Sequence, residues 1–284
     1  MNKAKAVALV TGASSGIGES TAKMLHEAGY TVYGTSRRAI KSPGNSFQMI
    51  TLDVTNEESV AGAVAQIIQQ EGRIDLLVNN AGFGIAPAAA EESSSKQAHA
   101  IFDTNFMGAV RMIKAVLPFM RAQGGGRIIN IGSILGRVPV PFAALYAGSK
   151  HALEGYSEAL DLELRARGIR VSIIEPAYTK TLFEANNIPA DATIAEYDAE
   201  RATVTGVVSK AMASADSPHV VAEVVLRAAR ASEPQIRYTA GRNAALLRVM
   251  RWLLPEGLFA KMIRASLKLG AGVRTQEPSK ALDH

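Results

Sequence analysis

The chain has 284 residues, 48% of them hydrophobic, a net charge of +5 and no cysteine. That composition supports one globular domain with a large core and excludes a disordered, collagen-like or disulfide-stapled chain; without thiols, catalysis must come from oxygen and nitrogen groups, and no metal is expected. No apolar run approaches the roughly 18 to 20 residues of a membrane span, and Met1-Asn2-Lys3-Ala4-Lys5 leads into a strand without a cleavage-type signal, so a soluble cytoplasmic protein is expected.

The first strand is predicted at 6–10, and directly after it Thr11-Gly12-Ala13-Ser14-Ser15-Gly16-Ile17-Gly18 turns the chain into a helix at 16–28, stopped by Gly29. At such a helix start, unpaired N–H groups and the positive end of the dipole face a pyrophosphate, and glycines let the backbone come close. Gly12, Ser14, Ser15, Gly16, Ile17 and Gly18 are therefore read as dinucleotide-binding, although the spacing Gly-x-x-x-Gly-x-Gly departs from Gly-x-Gly-x-x-Gly. The second strand, 31–35, ends at Ser36-Arg37-Arg38. There a carboxylate accepts from the ribose 2′-hydroxyl of NAD, whereas a cation pairs with the 2′-phosphate of NADP. With two guanidiniums and no acid, NADP(H) is expected in preference to NAD(H).

A third strand at 47–52 leads to Asp53 and Val54, expected beside the adenine, with capping of the following helix as the alternative for Asp53, and Thr55 with Glu58 reads as a capping box for a helix at 56–70. The fourth strand, 74–78, runs into the turn Asn79-Asn80-Ala81-Gly82. A long helix at 94–122 contains Asn105, and a fifth strand at 127–131 is followed by Ser133. The largely apolar stretch from Ile134 to Leu145 precedes Tyr146-Ala147-Gly148-Ser149-Lys150 at the start of a helix at 145–167, which Gly168 closes. Four residues apart, Tyr146 and Lys150 share a helix face. After the sixth strand, 169–174, comes Pro176-Ala177-Tyr178-Thr179-Lys180-Thr181, and the aperiodic stretch 176–215 reads as a mobile lid. A helix at 218–231 and a strand at 235–239 complete an alternation that builds an α/β, doubly wound parallel sheet of about seven strands.

Beyond this core, two amphipathic helices are predicted at 242–254 and 258–269. Leu246, Leu247, Met250, Leu253 and Leu254 should share one apolar face, and Phe259, Met262, Ile263 and Leu267 another. Residues 237–274 hold eight Arg or Lys against Glu256 alone, a charge of +7 that leaves the rest of the chain at −2. The basicity thus belongs to the extension, and no nucleic-acid partner is expected. The extension is expected to close the cleft or pack on a neighbouring subunit in preference to lying on a membrane, and 275–284 to be disordered.

The glycine turn, the Asn79 to Gly82 turn, Asn105, Ser133 and the Tyr146/Lys150 pair, in this order, resemble the short-chain dehydrogenase/reductase family over about residues 5–240. The resemblance implies a Rossmann-type fold and an oxidoreductase of carbonyls and alcohols. A phenol with a pKa near 10 transfers protons poorly at neutral pH unless a neighbouring cation stabilises the phenolate. Tyr146 is accordingly expected as general acid/base, with Lys150 lowering its pKa and bonding the nicotinamide ribose and Ser133 polarising the carbonyl oxygen. The resemblance further implies a relay water at Asn105, and cofactor contacts from Asn79, Ala81, Gly82, Pro176, Thr179 and Thr181. Ala177 stands where the family has glycine, a difficulty if positive φ is required there. Ser133, Leu135, Val140 and Tyr146 opposite Tyr178, Leu182 and Phe183 suit a hydrophobic ketone, aldehyde or alcohol, as in the hydroxysteroid- and retinol-dehydrogenase-like branch. The alternatives are a 3-oxoacyl-thioester reductase acting on an acyl carrier protein or coenzyme A substrate, and a non-catalytic NADP-binding regulatory or scaffold protein. A homodimer or homotetramer is expected.

Overall fold

The computed structural model describes residues 5–39, 46–181, 183 and 186–270; the expectations for Leu182 and for 275–284 lie outside them. Strands β1 (Val7–Val10), β2 (Thr31–Ser36), β3 (Gln48–Thr51), β4 (Leu76–Asn79), β5 (Gly126–Ile131), β6 (Ile169–Pro176) and β7 (Arg237–Ala240) form one sheet in the order β3-β2-β1-β4-β5-β6-β7. Every pairing is parallel. The helices are α1 (Gly16–Glu27), α2 (Glu57–Glu71), α3 (Ser95–Phe102), α4 (Gly108–Ala122), α5 (Ala144–Leu164), α6 (Asp198–Ala213), α7 (Pro218–Arg230), α8 (Arg242–Leu253) and α9 (Glu256–Ser266). The expected doubly wound α/β sheet is thus present.

Successive side chains of a strand point to opposite faces, and a parallel sheet is buried on both. In β1, Val7 and Leu9 enter the core beneath α2, α4 and α5, where Val64, Ile67, Met112, Ile113, Val116 and Leu160 meet them. Ala8 and Val10 enter the opposite core with Leu25 of α1 and Val221 and Val225 of α7. A third apolar cluster joins Val204 of α6, Ala244 of α8, and Phe259 and Ile263 of α9 to Ile134 and Val138. The chain order reverses direction between β1 and β4, and the crevice beyond their carboxyl ends is where such sheets take ligands.

Three local expectations are corrected. The helix foreseen at 94–122 is interrupted by a π turn, Asp103–Met107, in which the Gly108 N–H reaches the Asp103 carbonyl five residues back. The cap of α2 is Asn56, whose side chain accepts from the Ser59 N–H at 2.7 Å, while Thr55 donates to Asp53 instead. The stretch taken as aperiodic contains α6, of which Val204 alone is buried, so almost no apolar stripe announces it.

A polar chain crosses the middle of the sheet. The Asn79 amide donates to Asn130 Oδ1 on the neighbouring strand, Asn130 donates to the Ser157 hydroxyl of α5, and Ser157 donates to the Leu153 carbonyl. All three side chains are buried, so each depends on the next for its hydrogen bond. Asn130→Ala leaves the Asn79 amide unpaired, and the loss expected is about 1–3 kcal/mol. It should appear in urea as a lower midpoint at unchanged slope.

Candidate active site

The glycine turn is held from β4. Thr11 Oγ1 accepts from the N–H groups of Asn80 and Ala81 at 2.9 and 3.0 Å, and the Asn80 side chain donates back to the carbonyls of Thr11 and Gly12. Gly16 has φ +59, and a Cβ there would stand 3.1 Å from the Thr181 side chain; a Cβ on Gly18 would overlap the Gly12 carbonyl oxygen. Ser15 gives α1 no side-chain cap, so the first N–H groups of the helix are left for an incoming acceptor. Beyond β2, Arg37 and Arg38 are exposed and form no ion pair among the described residues. An uncapped helix start, room only for glycine, and two unpaired guanidiniums fit a dinucleotide carrying an extra phosphate.

Several residues expected at the cofactor have other partners. Asn79 is turned into the core chain described above. Val54 is buried against Gly108. Asp53 Oδ1 is occupied by the N–H and hydroxyl of Thr55, and Ser36 Oγ accepts from the Arg38 N–H. Thr11 and Asn80, the residues that shape the turn, were part of the recognised motifs without being assigned a role. Thr179 donates to the Ala177 carbonyl and Thr181 accepts from the Phe183 N–H. Among the described residues only Phe142 and Lys268 combine a side chain with positive φ, so Ala177 fits its place without strain.

The residues expected to transfer a proton, Ser133, Tyr146 and Lys150, converge at the carboxyl end of β5. Ser133 follows the strand, and its Oγ accepts from the Leu135 N–H at 3.1 Å. Tyr146 lies on the first turn of α5, with Phe183 against its ring at a centroid distance of 5.6 Å. Burial pushes the Tyr146 phenol up to about 12, against which a hydrogen bond from Ser133 acts. One turn on, the buried Lys150 ammonium donates to the Ile131 carbonyl at 2.8 Å and stands 5.7 Å from the Tyr146 ring centroid. Burial lowers Lys150 to about 8, opposed by the charge of Glu154. The expected depression of the tyrosine by the lysine is thus outweighed in this state, because the phenol and the ammonium are desolvated together.

Asn105 sits in the π turn at 2% exposure. Its amide donates to the Phe83 carbonyl and Ser149 hydroxyl and accepts from the Phe83 N–H, and Ser149 donates to the Tyr146 carbonyl. With both amide protons committed, the side chain positions the 83 segment and the start of α5 and has no proton left to donate to a relay water.

Leu135 and Val140, expected to line the substrate, pack against the third cluster, and Tyr178 is exposed. The segment expected as a loose lid is tied down: Ile188 exchanges backbone hydrogen bonds with Gly84 and Ala86, Gln97 holds the Pro189 carbonyl and the Asp191 N–H, and the buried Glu92 receives Ala89, Ile194 and Arg201. Glu92 was not singled out from the sequence, because nothing local marks a glutamate as an anchor for residues a hundred positions away.

A family model described as short chain dehydrogenase matches residues 6–192. A 3-ketodihydrosphingosine reductase of Bacteroides thetaiotaomicron is 49% identical over 183 residues, 63% of this chain and 66% of that protein, so the match spans just under two thirds of that relative. Human 17-beta-hydroxysteroid dehydrogenase type 1 is 36% identical over 279 residues, 89% of this chain and 83% of that protein. The crystal structure of a short chain dehydrogenase from Burkholderia cenocepacia in complex with NADP aligns with a TM-score of 0.72 at 26% identity, covering 91% of this chain and 97% of that one.

Glu154 lies one turn beyond Lys150 and is itself pushed up to about 7 by burial, with Glu175 acting in the same direction and Arg237 and Arg137 against it. Because a negative Glu154 raises Lys150, the Glu154→Gln variant should lose the lysine proton at lower pH. If Lys150, lowered to about 8 by burial, governs the alkaline limb of turnover, that limb is expected to move towards neutrality in a profile of kcat against pH; an unmoved limb excludes Lys150 as its source.

Proposed function

The chain belongs to the short-chain dehydrogenase family, oxidoreductases acting on CH–OH and C=O groups, and from that premise we propose an NADP(H)-dependent enzyme that interconverts a hydrophobic ketone or aldehyde and its alcohol. The observation that carries this reading is the surroundings of Tyr146: Ser133 faces its phenol, Phe183 packs edge-on against its ring, and a buried ammonium lies one helical turn away.

In reduction, Tyr146 donates its proton to the carbonyl oxygen, and a phenol held protonated by burial is ready for that direction. Ser133 Oγ accepts from the Leu135 N–H, and its own hydrogen, which here faces the Tyr146 phenol, would turn to the same developing oxyanion. Lys150 remains cationic below about pH 8 and stabilises the phenolate left behind. When bound, NADP(H) supplies or takes up the hydride. The first N–H groups of α1 would hold its pyrophosphate, and Arg37 and Arg38 the 2′-phosphate. Leu135, Val140 and Phe183 favour an apolar substrate, in keeping with relatives named for a ketodihydrosphingosine and a hydroxysteroid. Self-association through α4 and α5, as homodimer or homotetramer, belongs to the same reading; Leu162 of α5 is 67% exposed.

Purified protein should consume NADPH faster than NADH against a panel of hydrophobic ketones, aldehydes, steroids, retinoids and an acetoacetyl thioester. Tyr146→Phe is expected to lower kcat by about a hundred- to ten-thousand-fold with NADPH binding retained. Turnover confined to the thioester would assign an acyl-thioester reductase, and tight NADPH binding without any turnover a binding protein. Arg37→Ala is expected to raise the KM for NADPH roughly tenfold or more and leave that for NADH unchanged, the worth of one charge-assisted contact; equal use of both cofactors by the parent overturns the assignment to NADP(H).

A further inference from the structure

The extension divides its apolar residues between two faces. Ala244, Leu247, Met250 and Leu254 of the α8 region pack inward on the cluster that contains Ile134 and Val138. Leu246 and Leu253, expected on that same face, point outward and are 59% and 62% exposed. With them stand Val249 at 51% and Trp252 at 84%, and Leu258 at the start of α9 is 54% exposed. These are five of the eight large apolar side chains exposed among the described residues. Arg242, Leu246, Val249 and Leu253 follow the 4-3-4 spacing of one helix stripe, with Trp252 on its flank.

The charges around this ridge have one sign. Arg242, Arg248, Lys261, Arg264 and Lys268 are exposed, and between Arg237 and Gly270 the single acid is Glu256, already within 3.5 Å of Arg251. A second copy of the chain would set this cationic ridge against another like it, and like charges brought together across an interface are repulsive. An apolar stripe with a tryptophan, bordered by Lys and Arg, is what a helix presents when it lies flat at a lipid headgroup boundary. No described helix is long and apolar enough to cross a membrane, so the contact is peripheral.

We propose that the outward face of α8 docks on an anionic phospholipid bilayer, with Leu246, Val249, Trp252 and Leu253 entering the interface and Arg242, Lys261 and Lys268 meeting headgroup phosphates. The inward face of the same helix covers the substrate wall, so docking brings the cleft to the surface where apolar substrates dissolve. The docking itself does not depend on the substrate reading.

Trp252 is the chain's one tryptophan, so its emission reports directly on this face. With vesicles of phosphatidylcholine and phosphatidylglycerol at low salt, the full-length protein should sediment with lipid and the emission should shift to the blue; both should fall as salt rises. Leu246→Ser/Leu253→Ser, on exposed positions, is expected to bind such vesicles at least tenfold more weakly while turning over a water-soluble ketone at the parent rate. Unchanged emission and no co-sedimentation overturn the proposal, and dissociation of an oligomer by the same double variant assigns the ridge to a second copy instead. Binding to pure phosphatidylcholine that salt leaves unaltered removes the anionic lipid from it.

Discussion

The Thr11 hydroxyl ties the ends of β1 and β4 together by accepting two backbone N–H groups, and the Asn80 amide completes the tie in the opposite direction. Because Gly18 lies on the Gly12 carbonyl with no room for a side chain, α1 is drawn onto the same knot. The crevice at the sheet's switch point therefore has a fixed floor. From Ala81 the backbone runs to Phe83, which Asn105 holds from both its N–H and its carbonyl, and Asn105 reaches Tyr146 through Ser149. A short path of hydrogen bonds and two residues of backbone thus links the glycine turn to Tyr146.

At that second end, desolvation sets the terms. With Lys150 one helical turn away, burial still holds the Tyr146 phenol up to about 12, above its ordinary value near 10. Any further lowering would have to come from charge that arrives with cofactor and substrate. The cluster behind Lys150 belongs to the same balance. Arg237 is shared by Glu154 and Glu158 at 2.9 and 2.8 Å and approaches Glu175 at 3.8 Å, as Arg248 of α8 also does. Glu175 has no hydrogen bond to either oxygen among the described residues, and its acid form is favoured by burial. Through Arg248 the extension reaches the electrostatics of α5 as well as the apolar wall.

Much of this was legible in the chain. The order of strands and helices follows from apolar runs with period two or 3.6, and Gly29 and Gly168 end their helices with positive φ as read. The grouping of Ser133, Tyr146 and Lys150 was legible because helix geometry sets four residues on one side and because the motifs stand in order along the chain. Less was legible where a residue's role depends on a distant partner. Asn79 was read towards the cofactor and instead bonds Asn130, fifty-one positions on; α6 was invisible because its anchors are Glu92 and a single buried valine; Leu246 and Leu253 were grouped with Leu247 by hydropathy, which cannot tell an inward leucine from an outward one.

The sequence by itself determined the class of fold, the place of the glycine turn and the candidates for proton transfer, since these rest on local periodicity and on chemistry carried within a few residues. Only the tertiary structure decided how strongly each group is perturbed, which asparagine serves the core, how firmly the 186–197 segment is held, and which side of α8 is left facing outward. Those outcomes depend on burial and on partners contributed by remote parts of the chain, and neither has a signature in any short window of residues.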